Sequence, residues 1–63
     1  MLSPIDGVGF RIGFLRAMAP QMGEVDLAAF RQVVDHAVGG SLTVEDLETL
    51  ETLFKKFDKV LRG

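Results

Sequence analysis

Cysteine is absent from this 63-residue chain, and histidine occurs once, at position 36. Without cysteine the chain can form no disulfide, and one histidine falls well short of the four Cys or His ligands of a structural zinc site. No thiol nucleophile exists either, while Ser3 and Ser41 fit a helix cap and a loop residue better than a catalytic role. We therefore expect a non-enzymatic protein with no catalytic, cofactor-binding or metal-binding residues.

A positive net charge is also missing. Seven Lys and Arg against nine Asp and Glu give a formal charge of -2 and a pI of about 5.1. The chain therefore has no general field to attract it to phosphate backbones, and nucleic acid is disfavoured as a partner.

Long uninterrupted apolar runs are lacking as well. Arg11 and Arg16 interrupt the apolar N-terminal stretch, so no run of about 20 apolar residues could span a membrane. Asp6 stands where a secretory signal needs positive charge, and Pro20 would follow the small-residue cleavage site that Ala17-Met18-Ala19 imitates. We expect neither a membrane span nor a signal peptide, and we predict a cytoplasmic location, with which the lack of cysteine is compatible.

The clearest pattern that is present lies in the last third of the chain. Apolar residues recur there at alternating steps of three and four, which predicts a helix that packs against another helix. The main stripe comprises Leu47, Leu50, Phe54, Phe57 and Leu61, widened by Val44, Leu53 and Val60. Acidic residues occupy the first half and basic residues the second half, as the helix dipole favours. A helix is predicted over 44–61, with Thr43 as its cap and Asp46 completing a capping box.

The middle of the chain predicts a second helix over 25–38. Leu27, Phe30, Val34 and Ala37 form its apolar stripe, and Gly39-Gly40 ends it. Only about five residues, 39–43, connect it to the following helix. So short a connection predicts an antiparallel helical hairpin.

A first helix is predicted over 4–19. Ser3 would be its cap and Pro4 its first residue, while Pro20 and Gly23 would end it. An alternative stays open for residues 8–14, where apolar side chains alternate with glycine or arginine in the period of a strand. Such a strand could pair only across a dimer, as in a ribbon-helix-helix DNA-binding protein with Arg11 in the groove.

His36 and the acidic residues of the last helix are candidate sites with simpler explanations. Asp35 adjoins His36, but neighbouring helical residues point about 100° apart, so the two do not form an acid–base pair. Glu45, Glu48 and their acidic neighbours lack the spacing of a calcium loop. The same carboxylates would face DNA phosphates if residues 30–54 formed a helix-turn-helix.

Together these patterns predict one all-α domain over 1–63, a three-helix unit with a C-terminal antiparallel hairpin. Hydrophobic residues make up 48% of the chain and mean hydropathy is +0.26, more apolar material than so short a monomer can bury. We therefore expect a homodimer or higher oligomer in the form of a helix bundle. The predicted interaction face comprises Ile12, Leu15, Phe30, Val34, Leu47, Leu50, Phe54, Phe57 and Leu61.

The function that these features favour is protein–protein interaction, as an adaptor, inhibitor or regulatory subunit that binds another protein through an apolar helical face. The alternative is a dimeric DNA-binding transcriptional regulator of ribbon-helix-helix or helix-turn-helix type. DNA affinity that falls steeply with salt would distinguish the second function from the first.

Overall fold

A computed structural model describes residues 4–63, with side chains described from Gly7 onward. Three helices are present: α1 at Pro4–Met18, α2 at Glu24–Val38 and α3 at Val44–Arg62. A short 3-10 helix at Ala19–Gln21 follows α1. No strand occurs among residues 4–63, and the chain is all-helical there. Ser3, the predicted cap of the first helix, lies outside the described residues.

The stretch over residues 8–14 is part of α1. The helical interpretation of this stretch is confirmed, and the alternative strand is wrong. Ribbon-helix-helix dimers are built on that strand, so this form of the DNA-binding hypothesis loses its structural basis. The spacing of Val8, Ile12 and Leu15 explains the outcome, since steps of four and three place all three on one face of a helix, and all three contribute to the core.

The end of α2 is set by glycine chemistry. Gly39 keeps a right-handed conformation, with φ of -78°, and Gly40 takes the left-handed one, with φ of 73°. The N–H of Ser41 then donates to the carbonyl of His36 at 2.8 Å, and the N–H of Gly40 donates to that of Ala37 at 3.2 Å. These two bonds form a Schellman motif, which satisfies carbonyls that the helix would otherwise leave unpaired.

The start of α3 carries the predicted capping box. The hydroxyl of Thr43 accepts from the backbone N–H of Asp46 at 3.1 Å, and the carboxylate of Asp46 accepts from the backbone N–H of Thr43 at 2.9 Å. At the start of α2, by contrast, Gly23 is the N-cap and offers no side chain. Asp26 is therefore a first-turn acid there and not the cap.

The core draws on all three helices, and α1 and α2 each pack mainly against α3. On α3 the buried residues are Asp46, Leu50, Leu53 and Phe57. Their steps of four, three and four place the centre of the buried stripe at Leu53, which the sequence pattern places at the edge of the predicted stripe. The remaining core side chains are Leu15 and Met18 of α1 with Phe30 and Val33 of α2.

Candidate interaction surface

An exposed apolar row runs along α3 beside the core. Leu47, Phe54 and Leu61 are seven residues apart, close to two helical turns, so they lie nearly on one line. Leu47 is 41% exposed and Leu61 63% exposed, while Phe54 is half-buried. Phe10 of α1, 65% exposed, lies against Phe54. We call these four residues the apolar face.

Phe54 joins this face to α1. Its ring meets the ring of Phe14 at a centroid distance of 5.1 Å and that of Phe10 at 6.0 Å, both in edge-to-face geometry. The guanidinium carbon of Arg11 lies 5.4 Å from the Phe54 centroid, within cation–π range. Aromatic pairs of this geometry favour a fixed ring orientation. The centre of the apolar face is thus held by three side chains of α1.

A cleft of about 180 Å³ opens between α1 and α3 next to the row. Its wall is formed by Val8, Arg11, Leu47, Leu50 and Glu51, so it is apolar with one cation and one carboxylate. The Nε of Arg11 is buried and has no hydrogen-bond partner among the described residues. We call this opening the α1–α3 cleft.

The lack of a side chain at Gly7 leaves room for the guanidinium of Arg11 beside the α1–α3 cleft. A Cβ added at Gly7 would come within 2.9 Å of the Arg11 Nη1. Because that approach is shorter than nonbonded carbon and nitrogen atoms tolerate, a larger residue at position 7 would displace the guanidinium. Gly9 and Gly13, by contrast, have open space where a Cβ would stand.

Charges of alternating sign flank the apolar row. Lys55 bonds Glu51 at 3.1 Å, and Arg62 bonds Asp58 at 3.2 Å, both as pairs four residues apart on α3. The lysine and arginine side chains are largely exposed, so each pair contributes little to the stability of the monomer. Their main effect is to give this edge of α3 a mixed charge.

His36 of α2 has its hydrogen-bond partner on α3. Its Nδ1 lies 2.8 Å from Oδ2 of Asp46, a carboxylate that is only 4% exposed. Since a carboxylate oxygen only accepts, the Nδ1 carries the hydrogen. The same Oδ2 accepts from the backbone N–H and the hydroxyl of Thr43, at 2.9 and 3.0 Å. The backbone bond from Thr43 lowers the pKa of Asp46 most, burial opposes this, and the bond from His36 lowers the pKa further.

The chemistry of this cluster is structural. In a catalytic triad the hydroxyl donates to the imidazole, which takes its proton, and the carboxylate orients the imidazole from the other side. Here the Thr43 hydroxyl and the His36 imidazole both donate to one carboxylate oxygen. No base acts on the hydroxyl, so the arrangement stabilises the α2–α3 junction.

Another depression in the surface, of about 480 Å³, does not form a site. It is lined by residues of α2 alone, from Glu24 to His36. A single helix supplies no opposing wall, so a ligand would have only one side to bind. Among the side chains described, from Gly7 onward, no three His, Asp or Glu residues come together in a way that could hold a metal ion. None of the helices in this part of the chain is long and apolar enough to cross a bilayer.

The nine residues of the predicted interaction face divide into three groups. Inside the monomer core lie four of them: Leu15, Phe30, Leu50 and Phe57. Ile12 and Val34 are partly buried against that core, and Phe54 is half-buried against the rings of Phe10 and Phe14. Only Leu47 and Leu61 are exposed.

Sequence reasoning missed the roles of three residues. Phe10 of α1 belongs to the apolar face but is absent from the predicted interaction face. Leu53 is a core residue that periodicity ranked below Phe54. Asp46 is predicted only as a capping residue, but it also accepts a hydrogen bond from His36. The short connection between α2 and α3, which brings positions 36 and 46 close together, could have indicated this contact.

No protein-family model, curated protein sequence or solved structure gives a significant match to this chain.

Proposed function

We propose that this protein is a small non-enzymatic protein–protein interaction module that associates with a second copy of itself through the apolar face. The exposed row of Leu47, Phe54 and Leu61 carries the proposal. Two large aliphatic side chains there stay in water in the monomer although the same helix buries a core on its adjoining side. Apolar surface of this kind, bordered by charge, is typical of interaction sites.

Charge favours a second copy as the occupant. Apart from the buried Asp46, the first half of α3 carries Glu45, Glu48 and Glu51, and its second half carries four basic residues, Lys55, Lys56, Lys59 and Arg62, against one acidic residue, Asp58. Two α3 helices that pack in opposite directions therefore bring an acidic half against a basic half at both ends. Such an interface is self-complementary, as a two-fold dimer requires.

The finer architecture is part of the same proposal. We propose that α2 and α3 form an antiparallel hairpin, supported by two contacts at opposite ends of the pair. His36, near the end of α2, bonds Asp46, near the start of α3. Asp26, near the start of α2, bonds Lys56 in the second half of α3 at 2.6 Å. Packing of α2 against α3 would hold the apolar face in a fixed position. A cytoplasmic location stays a prediction.

The DNA-binding alternative now depends on a helix-turn-helix arrangement of α2 and α3. Glu45 and Glu48 are exposed on the first turns of α3, where a recognition helix would approach phosphates. Like-charge repulsion would weaken binding at that surface, so no observation favours this function over self-association.

Sedimentation equilibrium from micromolar to millimolar concentration tests the proposal. We expect association of the wild-type chain, and we expect Leu61→Glu to shift it to the 6.9 kDa monomer, because a carboxylate would have to be desolvated in the interface. Val60→Glu is the matched control. Val60 is 50% exposed on the same turn of α3 but lies outside the apolar face, so this variant should associate like wild type.

Two results would count against the proposal. A wild-type chain that stays monomeric throughout this range would refute self-association. Binding to duplex DNA with a steep dependence on salt would support the alternative function instead.

A further inference from the structure

We infer that the second copy binds in a two-fold antiparallel register with Phe54 near the axis, so that Leu61 of the partner subunit fills the α1–α3 cleft. This inference rests on the proposed self-association and specifies its geometry. It follows from the spacing of the row, the shape of the cleft and the distribution of charge along α3.

The spacing of the row sets the register. Leu47 and Leu61 each lie seven residues from Phe54, about 10.5 Å along the helix axis. When two α3 helices run in opposite directions with Phe54 facing Phe54, Leu47 faces Leu61 of the partner subunit at both ends. All three apolar positions then find apolar partners, and a shift by one helical turn would place at least one of them against water.

A parallel register satisfies the apolar row but not the charges. Leu47 would then face its own copy, and Glu51, which lies beside the apolar row, would approach the same residue of the other chain. The basic second halves would likewise face each other. Like charges brought together at both ends of an interface oppose association, so the antiparallel register is favoured.

The α1–α3 cleft supplies the receiving site. It lies level with Leu47, and its apolar wall is formed by Val8, Leu47 and Leu50. Its volume is about 180 Å³, and a cavity of roughly 150 Å³ is known to accommodate benzene. One leucine side chain therefore fits. Leu61 is 63% exposed in the monomer, so its burial in this cleft removes apolar surface from water without disturbing the core.

The polar edge of the cleft agrees with the same register. Counting from Phe54, Asp58 of the partner subunit comes opposite Leu50, beside Arg11 and Glu51. The guanidinium of Arg11 then lies between two carboxylates and can donate to the incoming one.

The absence of cysteine makes cross-linking a direct test. We would prepare Leu47→Cys and Leu61→Cys as separate chains, mix them and oxidise them gently. A disulfide needs Cα atoms within about 7 Å, so the antiparallel register should give a mixed disulfide between the two variants. Neither variant alone should form one readily. Glu48→Cys, mixed with Leu61→Cys, is the control, because position 48 lies well around the helix from the apolar face.

A larger side chain at position 8, which lines the α1–α3 cleft, tests whether the cleft receives Leu61 of the partner subunit. Val8→Phe should occupy the space that receives Leu61 of the partner subunit and weaken self-association at least tenfold, or about 1.4 kcal/mol. Circular dichroism would verify that this variant stays folded. Val38→Phe is the matched control, since Val38 is 84% exposed on α2 and should leave association unchanged.

The outcomes separate the register from the proposed function. A mixed disulfide together with weakened association of Val8→Phe supports the inference. A disulfide of Leu47→Cys with itself, or a folded Val8→Phe that associates like wild type, would overturn the inference while self-association stands. Association of the reduced variants without any cross-link would overturn the register in the same way. Loss of association in wild type would overturn both.

Discussion

Two leucines on α3 offer a matched comparison of core and surface. Leu53 is 4% exposed and belongs to the core, whereas Leu47 is 41% exposed in the apolar face. Leu53→Ala removes buried methyl groups and leaves a cavity, which costs roughly 2 to 5 kcal/mol. A domain of this length has a free energy of unfolding of about 3 to 9 kcal/mol. We therefore expect Leu53→Ala to remove much or all of the stability.

Leu47→Ala should act differently. Its side chain is only partly withdrawn from water, so the loss of monomer stability should be about 1 kcal/mol or less. Its main effect should be on self-association, because Leu47 lies in the apolar face. The same chemical change thus separates folding from assembly along one helix.

The measurement is urea unfolding followed by far-ultraviolet circular dichroism, since the chain has no Trp or Tyr to report by fluorescence. Dilute samples, in which dimer is scarcest, isolate the stability of the monomer. Equal losses of unfolding free energy for the two variants at low concentration would refute the assignment of Leu53 to the core and of Leu47 to the surface. A concentration-dependent difference for Leu47→Ala alone would support it.

Three further changes have expected outcomes. Phe54→Ala should cost about 2 kcal/mol in a thermal melt, less than a fully buried Phe, and should also weaken the proposed self-association. Exposed Glu48→Ala should change stability by less than about 0.5 kcal/mol. The lowered pKa of Asp46 means that the folded state binds its proton less readily than the unfolded state, so this carboxylate stabilises the fold above its ordinary pKa of 3.8. That contribution is lost as the pH falls from 3.8 through the pKa of Asp46 in the folded state. The urea midpoint should therefore fall less steeply with decreasing pH for Asp46→Asn than for the wild-type chain. Gly40→Ala should lower the melting temperature by an amount equivalent to about 1 kcal/mol, because its φ of 73° strains any residue with a Cβ.

Elements governed by local chemistry could be predicted from the sequence. Thr43 and Asp46 form a capping box within one turn of helix, and α3 begins at the next residue after Thr43, as predicted. The end of α2 at Gly39-Gly40 is likewise local, since it depends on a few backbone hydrogen bonds between neighbouring residues. The first helix ends one residue early, at Met18, because the chain tightens into a 3-10 turn around Pro20.

The face of α3 that packs in the core could not be predicted from local sequence chemistry. Leu50 and Phe57 belong equally to the predicted stripe and to the buried one, and periodicity alone gave no reason to prefer Leu53 over Phe54. The choice depends on where α1 and α2 pack, which is a property of the assembled fold. His36 and Asp46 illustrate the same limit, since their hydrogen bond joins two helices.

The central position of α3 has a consequence for the order of folding. Both α1 and α2 find their main packing partner in α3, and α3 is the last of the three to be synthesised. Until it leaves the ribosome, Leu15 and Phe30 have no assembled core to enter. The contact between α2 and α3 should then form first, because His36 and Asp46 are only ten residues apart and loops of that length close within about 10 to 100 ns. Docking of α1, whose partners on α3 are some forty residues away along the chain, is the later step. A nascent or truncated chain that lacks α3 would therefore expose its core residues to chaperones and proteases.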